Sequence, residues 1–163
     1  MRRPRIATIG VYGFDVSTFL ETLEDGGVDV LVDVRQRRGV RGPQYAWANS
    51  RRLQAALAEA GIGYEHRRDL APSTAMRQLQ YREDARKGEG KRSRTTLAAG
   101  YVRDYTAEIL EPADLSSLAE LAAEHRPALL CVERDAEACH RSLIAARLER
   151  EHGCEVRHLL PPA

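Results

Sequence analysis

The stretch LLCVERDAEACHRSLI, residues 129–144, decides the fold of this chain. Its apolar start predicts a short β-strand, and the polar loop that follows delivers Cys139, His140 and Arg141 to the start of an amphipathic helix. The start of a helix has unpaired backbone N–H groups and about half a positive charge, so it favours anions and thiolates. Because α/β proteins bind ligands beyond the carboxyl ends of their strands, this unit predicts a functional site.

Strand-like runs and helical periods alternate along the rest of the chain. This alternation predicts one α/β domain over residues 1–163, with a mainly parallel five-stranded sheet flanked by helices in a doubly wound, Rossmann-like arrangement. The predicted strands are residues 5–10, 28–34, 62–66, 127–133 and 154–159. The predicted helices are residues 15–25, 49–61, 76–87, 96–110, 115–125 and 139–152.

A segment at about 74–112 is predicted to be helical and partly mobile. Residues 88–94 within it contain two glycines and few apolar anchors, which is typical of a mobile loop.

The order of strands and helices is compatible with a sheet of strand order 3-2-1-4-5. Strands one and four are neighbours in that order, and their ends form a crevice. We expect Gly10–Tyr12 to lie beside Glu133–Arg141, with Asp33 and Arg35 adjacent. The predicted site depends on this meeting of distant segments.

The composition of the 163 residues is that of a globular protein and argues against disorder. No apolar run approaches the ~20 residues that span a membrane, so no membrane partner is expected. The apolar run Ile6–Gly10 is too short for a signal-peptide core, and a cytoplasmic location is expected. Cys131, Cys139 and Cys154 are an odd number of cysteines, which favours reduced thiols over a disulfide framework. The sequence does not indicate an oligomeric state.

Several segments together resemble the domain of unknown function 488 family. They are Thr8–Gly10, Leu31–Arg35, Gly61–Tyr64 with Asp69–Leu70, and Cys131–Glu133 followed by Cys139–Ser142. The resemblance covers nearly the whole chain in the right order. It implies a compact α/β domain with these segments at one end of the sheet, and it implies no particular activity. Family members often have Tyr or His straight after the first motif, where this chain has Val11 and then Tyr12.

Four residues are candidates for catalysis. Cys139 at a helix start, beside His140, has the environment of a nucleophilic thiolate, although a cysteine at this position more often packs inward as a small apolar residue. Asp33 and Glu133 at neighbouring strand ends are candidates for general acid and base, although paired carboxylates often orient arginines instead. The chain has no C-x5-R sequence, which disfavours phosphatase and rhodanese chemistry.

Five residues are candidates for ligand binding: Gly10, Tyr12, Arg35, Arg141 and Ser142. The two arginines could clamp a phosphate or carboxylate bidentately, with help from the helix start. The alternative is that they form structural ion pairs with Asp33 or Glu133.

No metal site is predicted, although a catalytic metal is left open as an alternative, and the sequence does not identify a cofactor. A metal would use Cys139, His140, Glu133 and a fourth ligand such as His66. The spacing of Cys131 and Cys139 does not match zinc clusters, and Cys131 is predicted to lie inside an apolar strand. The glycine fingerprint of dinucleotide binding is missing after Gly10, which disfavours NAD.

Two functions remain open. The first is an enzyme that binds an anionic substrate, such as a nucleotide or a phosphorylated metabolite, between strands one and four. The second is a non-catalytic nucleic-acid or nucleotide-binding module, because residues 35–52 contain six arginines, no acid, and the rings of Tyr45 and Trp47. Lys87–Arg94 is a second basic segment, and the alternative for Trp47 is a hydrophobic anchor. The convergence of acid, thiol, imidazole and guanidinium groups favours the enzyme.

Overall fold

Five short parallel strands form the centre of the protein, for which a computed structural model describes residues 3–163. The strands are β1 (Arg5–Ile9), β2 (Val30–Asp33), β3 (Gly63–His66), β4 (Pro127–Leu130) and β5 (Glu155–His158). The helices are α1 (Val16–Asp25), α2 (Ser50–Glu59), α3 (Thr74–Arg86), α4 (Ala99–Tyr105), α5 (Ser116–Glu124) and α6 (Arg141–His152). The predicted single α/β domain with a parallel five-stranded sheet is confirmed. Within the described range, no helix has both the length and the apolar character of a membrane span.

The predicted strand order is wrong in one respect. The observed order is β3-β2-β4-β1-β5, so β4 lies between β2 and β1. Leu130 at the end of β4 pairs with Asp33 of β2 on one side and with Ile9 of β1 on the other. β1 and β2 are consecutive in the chain but are not neighbours in the sheet. The place between them is occupied by β4, which comes later in the sequence. Residues 127–130 suit this central position because all four are buried.

Two predicted boundaries near the carboxyl end of the sheet also change. β4 ends at Leu130 rather than at Glu133, and α6 begins at Arg141 rather than at Cys139. The backbone between them leaves the sheet and contains a short 3-10 turn, Ala136–Ala138. Cys131, Glu133 and Cys139 therefore lie in a loop at the carboxyl end of the sheet.

The helical segment after α3 is shorter than predicted. α4 begins at Ala99 and continues as a π-helical turn, Thr106–Leu110, where one α-helix from residue 96 was expected. The backbone N–H of Ala98 donates to the side-chain oxygen of Gln80 on α3 at 2.8 Å, which fixes the start of α4.

An aromatic cluster packs α1 against the loop that follows β2. The ring of Phe19 on α1 lies 4.9 Å from the ring of Trp47 and 5.5 Å from that of Phe14. Trp47 belongs to a 3-10 turn, Pro43–Ala48, inside the arginine-rich stretch. The structure therefore agrees with Trp47 as a hydrophobic anchor.

Helices also pack against the central part of the sheet. The helices that contact β1 are α5 and α6.

Candidate functional site

A cleft of about 810 Å³ lies at the carboxyl end of the sheet, above β4. Its floor contains Cys131, Glu133, Cys139 and His140, which all line the cleft. The predicted meeting of segments is observed, because His140 Nε2 lies 2.8 Å from the backbone oxygen of Val34, between Asp33 and Arg35. The central position of β4 produces this meeting: its end delivers residues 131–133 beside the end of β2.

A buried thiol–imidazole cluster forms part of the floor. His140 Nε2 donates to the Val34 carbonyl, so in the neutral ring Nδ1 is the nitrogen with a free lone pair. Nδ1 lies 3.7 Å from Cys131 Sγ and 3.6 Å from Cys139 Sγ. Burial raises the pKa of the Cys131 thiol to about 12, so this thiol is protonated at neutral pH when nothing else binds it.

Glu133 lies beside the cluster and is held by Arg94. The Arg94 guanidinium donates to Glu133 Oε1 at 2.6 Å, to Asp84 Oδ2 at 2.8 Å and to the backbone oxygen of Ala138 at 3.1 Å. Cys131 Sγ lies 3.4 Å from the other oxygen, Glu133 Oε2. Burial raises the pKa of Glu133, the neighbouring Cys131 adds to this, and Lys91 and Arg94 oppose it. A carboxyl group with a raised pKa can give and take a proton closer to neutral pH.

Residues 88–94 form a loop over the cleft, and polar side chains of α3 anchor it. Gln80 and Asp84 are one helical turn apart and both are buried. Gln80 Nε2 donates to Asp84 Oδ1 at 2.8 Å, and Asp84 in turn accepts from Arg94. A helix over residues 76–87 was predicted from the sequence, but this role of its side chains was not. A Gln and an Asp four residues apart are the signal that could have indicated it.

Asp33 and Arg35 form a buried ion pair. Arg35 Nε and Nη2 each lie 2.9 Å from one oxygen of Asp33, and Nη1 donates to the backbone oxygen of Ala48 at 2.9 Å. Tyr64 donates its hydroxyl to Asp33 at 2.6 Å. This geometry matches the alternative in which Asp33 forms an ion pair with Arg35 and orients it, rather than the one in which Asp33 acts as a general acid or base. Arg35 reaches the edge of the cleft, but its N–H groups point at the protein.

Arg141 forms no ion pair with Asp33 or Glu133, which corrects the structural alternative predicted for it. Its Nε donates to Thr8 Oγ1 at 3.2 Å, and its other nitrogens donate to the backbone oxygens of Glu133 and Arg134 at 2.6 and 3.1 Å. The side chain is fully buried and ties the loop after β4 to β1. The Ser142 hydroxyl donates to the backbone oxygen of Cys139 at 2.9 Å. Neither residue lines the cleft.

Gly10 allows the loop after β4 to cross close to β1. A Cβ at this position would lie 1.9 Å from the backbone oxygen of Glu133. The N–H groups of Val11 and Tyr12 both donate to the backbone oxygen of Val132, at 2.9 and 3.0 Å. Gly10 is therefore placed for close packing, and the amides after it are already satisfied.

Tyr12 lines the cleft and supports one of its cations. Its ring lies 5.2 Å from the ring of Tyr45, and the Arg92 guanidinium lies 5.3 Å from the centre of each ring. This geometry is that of a cation–π contact, so both rings are already covered.

Five cations that line the cleft have no carboxylate partner within residues 3–163. One is Arg77 on α3, which donates to Gln36 and Tyr81. The other four lie in the two basic segments, and we call them the cationic rim: they are Arg37, Arg41, Lys91 and Arg92. The first two belong to the predicted arginine-rich loop and the last two to the loop over the cleft. The two basic segments of the sequence thus meet around one cavity. The sequence analysis recognised both segments but did not predict that they face each other.

Cys131 is the site residue whose role the sequence analysis missed, and His66 is not part of the cluster. Cys131 follows the last residue of β4 and lines the cleft, whereas His66 Nε2 lies 3.1 Å from the backbone oxygen of Arg35. Successive side chains of an extended segment point to opposite faces, so residues 131 and 133 share a face. Because Glu133 was a predicted site residue, this alternation could have indicated that Cys131 also belongs to the site.

Comparison with known proteins identifies one family. The family model described as a domain of unknown function, DUF488, matches residues 15–148. No curated protein and no solved structure matches the chain significantly. The match covers β2 to β4, most of α6 and the floor of the cleft.

Proposed function

The chain belongs to the DUF488 family, and on that premise we propose that it is an enzyme that binds a phosphate-bearing or other anionic small molecule in the cleft. The cationic rim carries this proposal. Six arginines and a lysine line the cleft, and Glu133 is the one acid among its lining residues. Arg35 and Arg94 are neutralised by buried carboxylates, so the charge of the cationic rim remains for a ligand.

The size of the cleft supports a small molecule as the ligand. Its volume of about 810 Å³ falls within the range of about 300–1,000 Å³ that is usual for small-molecule sites. A phosphorylated molecule of about the size of a nucleotide satisfies both the charge and the volume.

The floor supports catalysis rather than binding alone. Glu133 has a raised pKa and lies where a bound molecule would reach it, so it is the candidate for proton transfer. Cys139 and His140 line the same floor. Asp33 acts through Arg35 and Tyr64 and is a positioning residue in this proposal. Arg141, Gly10 and Ser142 support the fold of the site.

Nucleic-acid binding by the arginine-rich loop has less support. Single-stranded nucleic acids need exposed aromatic rings on which bases stack. Trp47 packs on Phe19, and Tyr45 is covered by Tyr12 and Arg92. The two rings that motivated this alternative are therefore already in use.

Binding of inorganic phosphate and of a nucleoside monophosphate, measured by isothermal titration calorimetry, tests the cationic rim. Replacing Arg41 and Arg92 together by Gln removes two charge-assisted hydrogen-bond donors, each worth about 1.5–3 kcal/mol. We expect an affinity at least ~10-fold weaker. The matched control replaces Arg51 and Arg52 by Gln, because both are exposed on α2 outside the cleft.

Two results would overturn the binding proposal. One is equal loss of affinity in the double variant and its control. The other is tight binding of a single-stranded oligonucleotide, with a steep salt dependence, in a protein that binds neither small anion.

Incubation with a mixture of cellular metabolites, followed by mass spectrometry, tests catalysis. The native chain should consume at least one anionic compound that the Glu133→Gln variant leaves intact. Phosphate affinity of the variant should stay within about threefold of the native value, since the rim is unchanged. A compound that both proteins consume at the same rate would remove Glu133 from the reaction.

A further inference from the structure

From the geometry of the thiol–imidazole cluster we infer a binding site for a divalent transition metal, of which Zn²⁺ is the best match. Its ligands are Cys131 Sγ, Cys139 Sγ and His140 Nδ1, and all three residues are buried. This site does not depend on which anion the cleft binds.

The spacing of the three ligand atoms fits a tetrahedral ion. Zinc lies about 2.3 Å from thiolate sulfur and about 2.0–2.1 Å from imidazole nitrogen, so tetrahedral geometry puts sulfur and nitrogen about 3.6 Å apart. The two sulfur–nitrogen distances observed are 3.7 Å for Cys131 and 3.6 Å for Cys139. All ligand atoms lie within 4.8 Å of one another. The chain thus already holds both sulfur atoms at the distance from His140 Nδ1 that the ion requires.

The orientation of His140 is that of a metal ligand. Histidines that bind metals donate their second ring N–H to a carbonyl or carboxylate, which fixes the tautomer. His140 Nε2 has this partner in the Val34 carbonyl at 2.8 Å, and Nδ1 faces the two thiols. A histidine held for packing alone would not need its lone pair aimed at two sulfur atoms.

The charges around the cluster are compatible with a cation. Two thiolates and a neutral imidazole carry a charge of −2, so a divalent ion would make the group neutral. The nearest guanidinium, that of Arg94, is already neutralised by Asp84 and Glu133. On binding, the thiols release their protons to solvent and sulfur–metal bonds form in their place.

Three protein ligands leave the fourth position of a tetrahedral ion open. Structural zinc sites have four protein ligands, whereas catalytic sites have three and an open position. Cys131, Cys139 and His140 all line the cleft, so the open position would face a bound molecule. Glu133 Oε2 lies 3.4 Å from Cys131 Sγ, one of the three ligand atoms. The inferred metal would therefore meet the substrate, and water or a substrate oxygen would complete its coordination.

Titration of the chelator-treated chain with Co²⁺ tests this site. Cobalt bound by thiolates in a tetrahedral site gives charge-transfer absorption in the near ultraviolet and intense visible bands. We expect both to saturate at equimolar cobalt and to disappear when Zn²⁺ displaces it. Zinc should also raise the melting temperature of the chelator-treated chain, and a chelator should reverse the rise.

Single substitutions identify the ligands. Cys131→Ser and Cys139→Ser should each reduce the charge-transfer absorption by about half, because one of two thiolates remains. His140→Gln should weaken metal binding by at least ~100-fold, more than loss of an outer hydrogen-bond partner causes. The control is Cys154→Ser, which removes a buried cysteine outside the cluster and should leave the cobalt spectrum unchanged.

The native chain alone decides the outcome even where a variant does not fold. Absence of thiolate-to-cobalt absorption, together with an unchanged melting temperature in zinc, overturns the inference. Loss of the spectrum in Cys154→Ser, while this variant keeps the circular dichroism of the native fold, also overturns it. Phosphate binding is measured separately on the chelator-treated chain, so failure of the metal site and failure of the anion site are distinguishable.

Discussion

At the scale of single residues, burial separates two ion pairs that look alike in the sequence. Arg35 with Asp33 and Arg67 with Asp69 are both bidentate pairs of residues two apart, and each has two N–O distances of 2.9 Å. The side chains of the first pair are 1% and 0% exposed, and those of the second are 15% and 56% exposed. Water screens the second pair and not the first.

Substitution of the two carboxylates should therefore give unequal results. Asp33→Asn leaves the buried Arg35 charge unpaired and should lower the free energy of unfolding by about 3–5 kcal/mol. Asp69→Asn should lower it by about 0–1 kcal/mol. Urea denaturation at pH 7 measures both. Similar losses would show that burial does not decide the strength of these pairs.

At the scale of secondary-structure elements, α3 and the loop over the cleft act together. Asp84 on α3 and Glu133 after β4 both pair with Arg94, so one arginine connects three parts of the chain. The polar character of α3 has a cause, because its buried polar side chains anchor this loop. The partial mobility of residues 74–112 stays a prediction, and Arg94 is the anchor that would limit it.

Loss of Arg94 should therefore release the loop. We expect Arg94→Gln to increase the rate of tryptic cleavage after Lys91 and Arg92 by at least ~10-fold, since cleavage follows the population of the open loop. The control is Arg86→Gln, because Arg86 pairs with Glu83 on the exposed side of α3. Equal cleavage of the two variants would mean that Arg94 does not hold the loop closed.

At the scale of the whole molecule, one hydrogen-bond chain links α6, β1 and β5. Arg141 Nε donates a hydrogen bond to Thr8 Oγ1. The Thr8 hydroxyl in turn donates a hydrogen bond to His158 Nδ1, which lies 2.7 Å away. Burial lowers the pKa of His158, and the positive charge of Arg141 lowers it further. The folded protein therefore favours a neutral His158.

His158 should therefore make a contribution to stability that is lost in mild acid. The folded pKa of His158 lies below the unfolded value of about 6.5. Below pH 6.5 the unfolded chain binds more protons, so stability falls as the pH drops through that value towards the folded pKa. His158→Gln should reduce the loss of stability between pH 7 and pH 5, as measured by urea denaturation at both pH values. A ring titration midpoint above about 6.5 by NMR would contradict the sign of the shift.

The local patterns of the sequence were sufficient for the fold class and for the position of the site along the chain. Runs of apolar residues with period 2 or 3.6 depend on neighbours within one element, so β1 to β5 and most helices follow from them. The apolar run before Cys131 likewise placed Glu133 at a strand end, and the polar loop after it placed Cys139 and His140 at the start of a helix.

Only the tertiary structure decided how these residues are used. Strand order depends on which distant segments pack side by side, and the position of β4 between β2 and β1 brings Val34 to His140. Burial then determined the roles: Arg35 and Arg141 became internal anchors, whereas Cys131 became part of the floor. Contacts between residues far apart in the chain create no local period, and for this reason the sequence alone could not determine them.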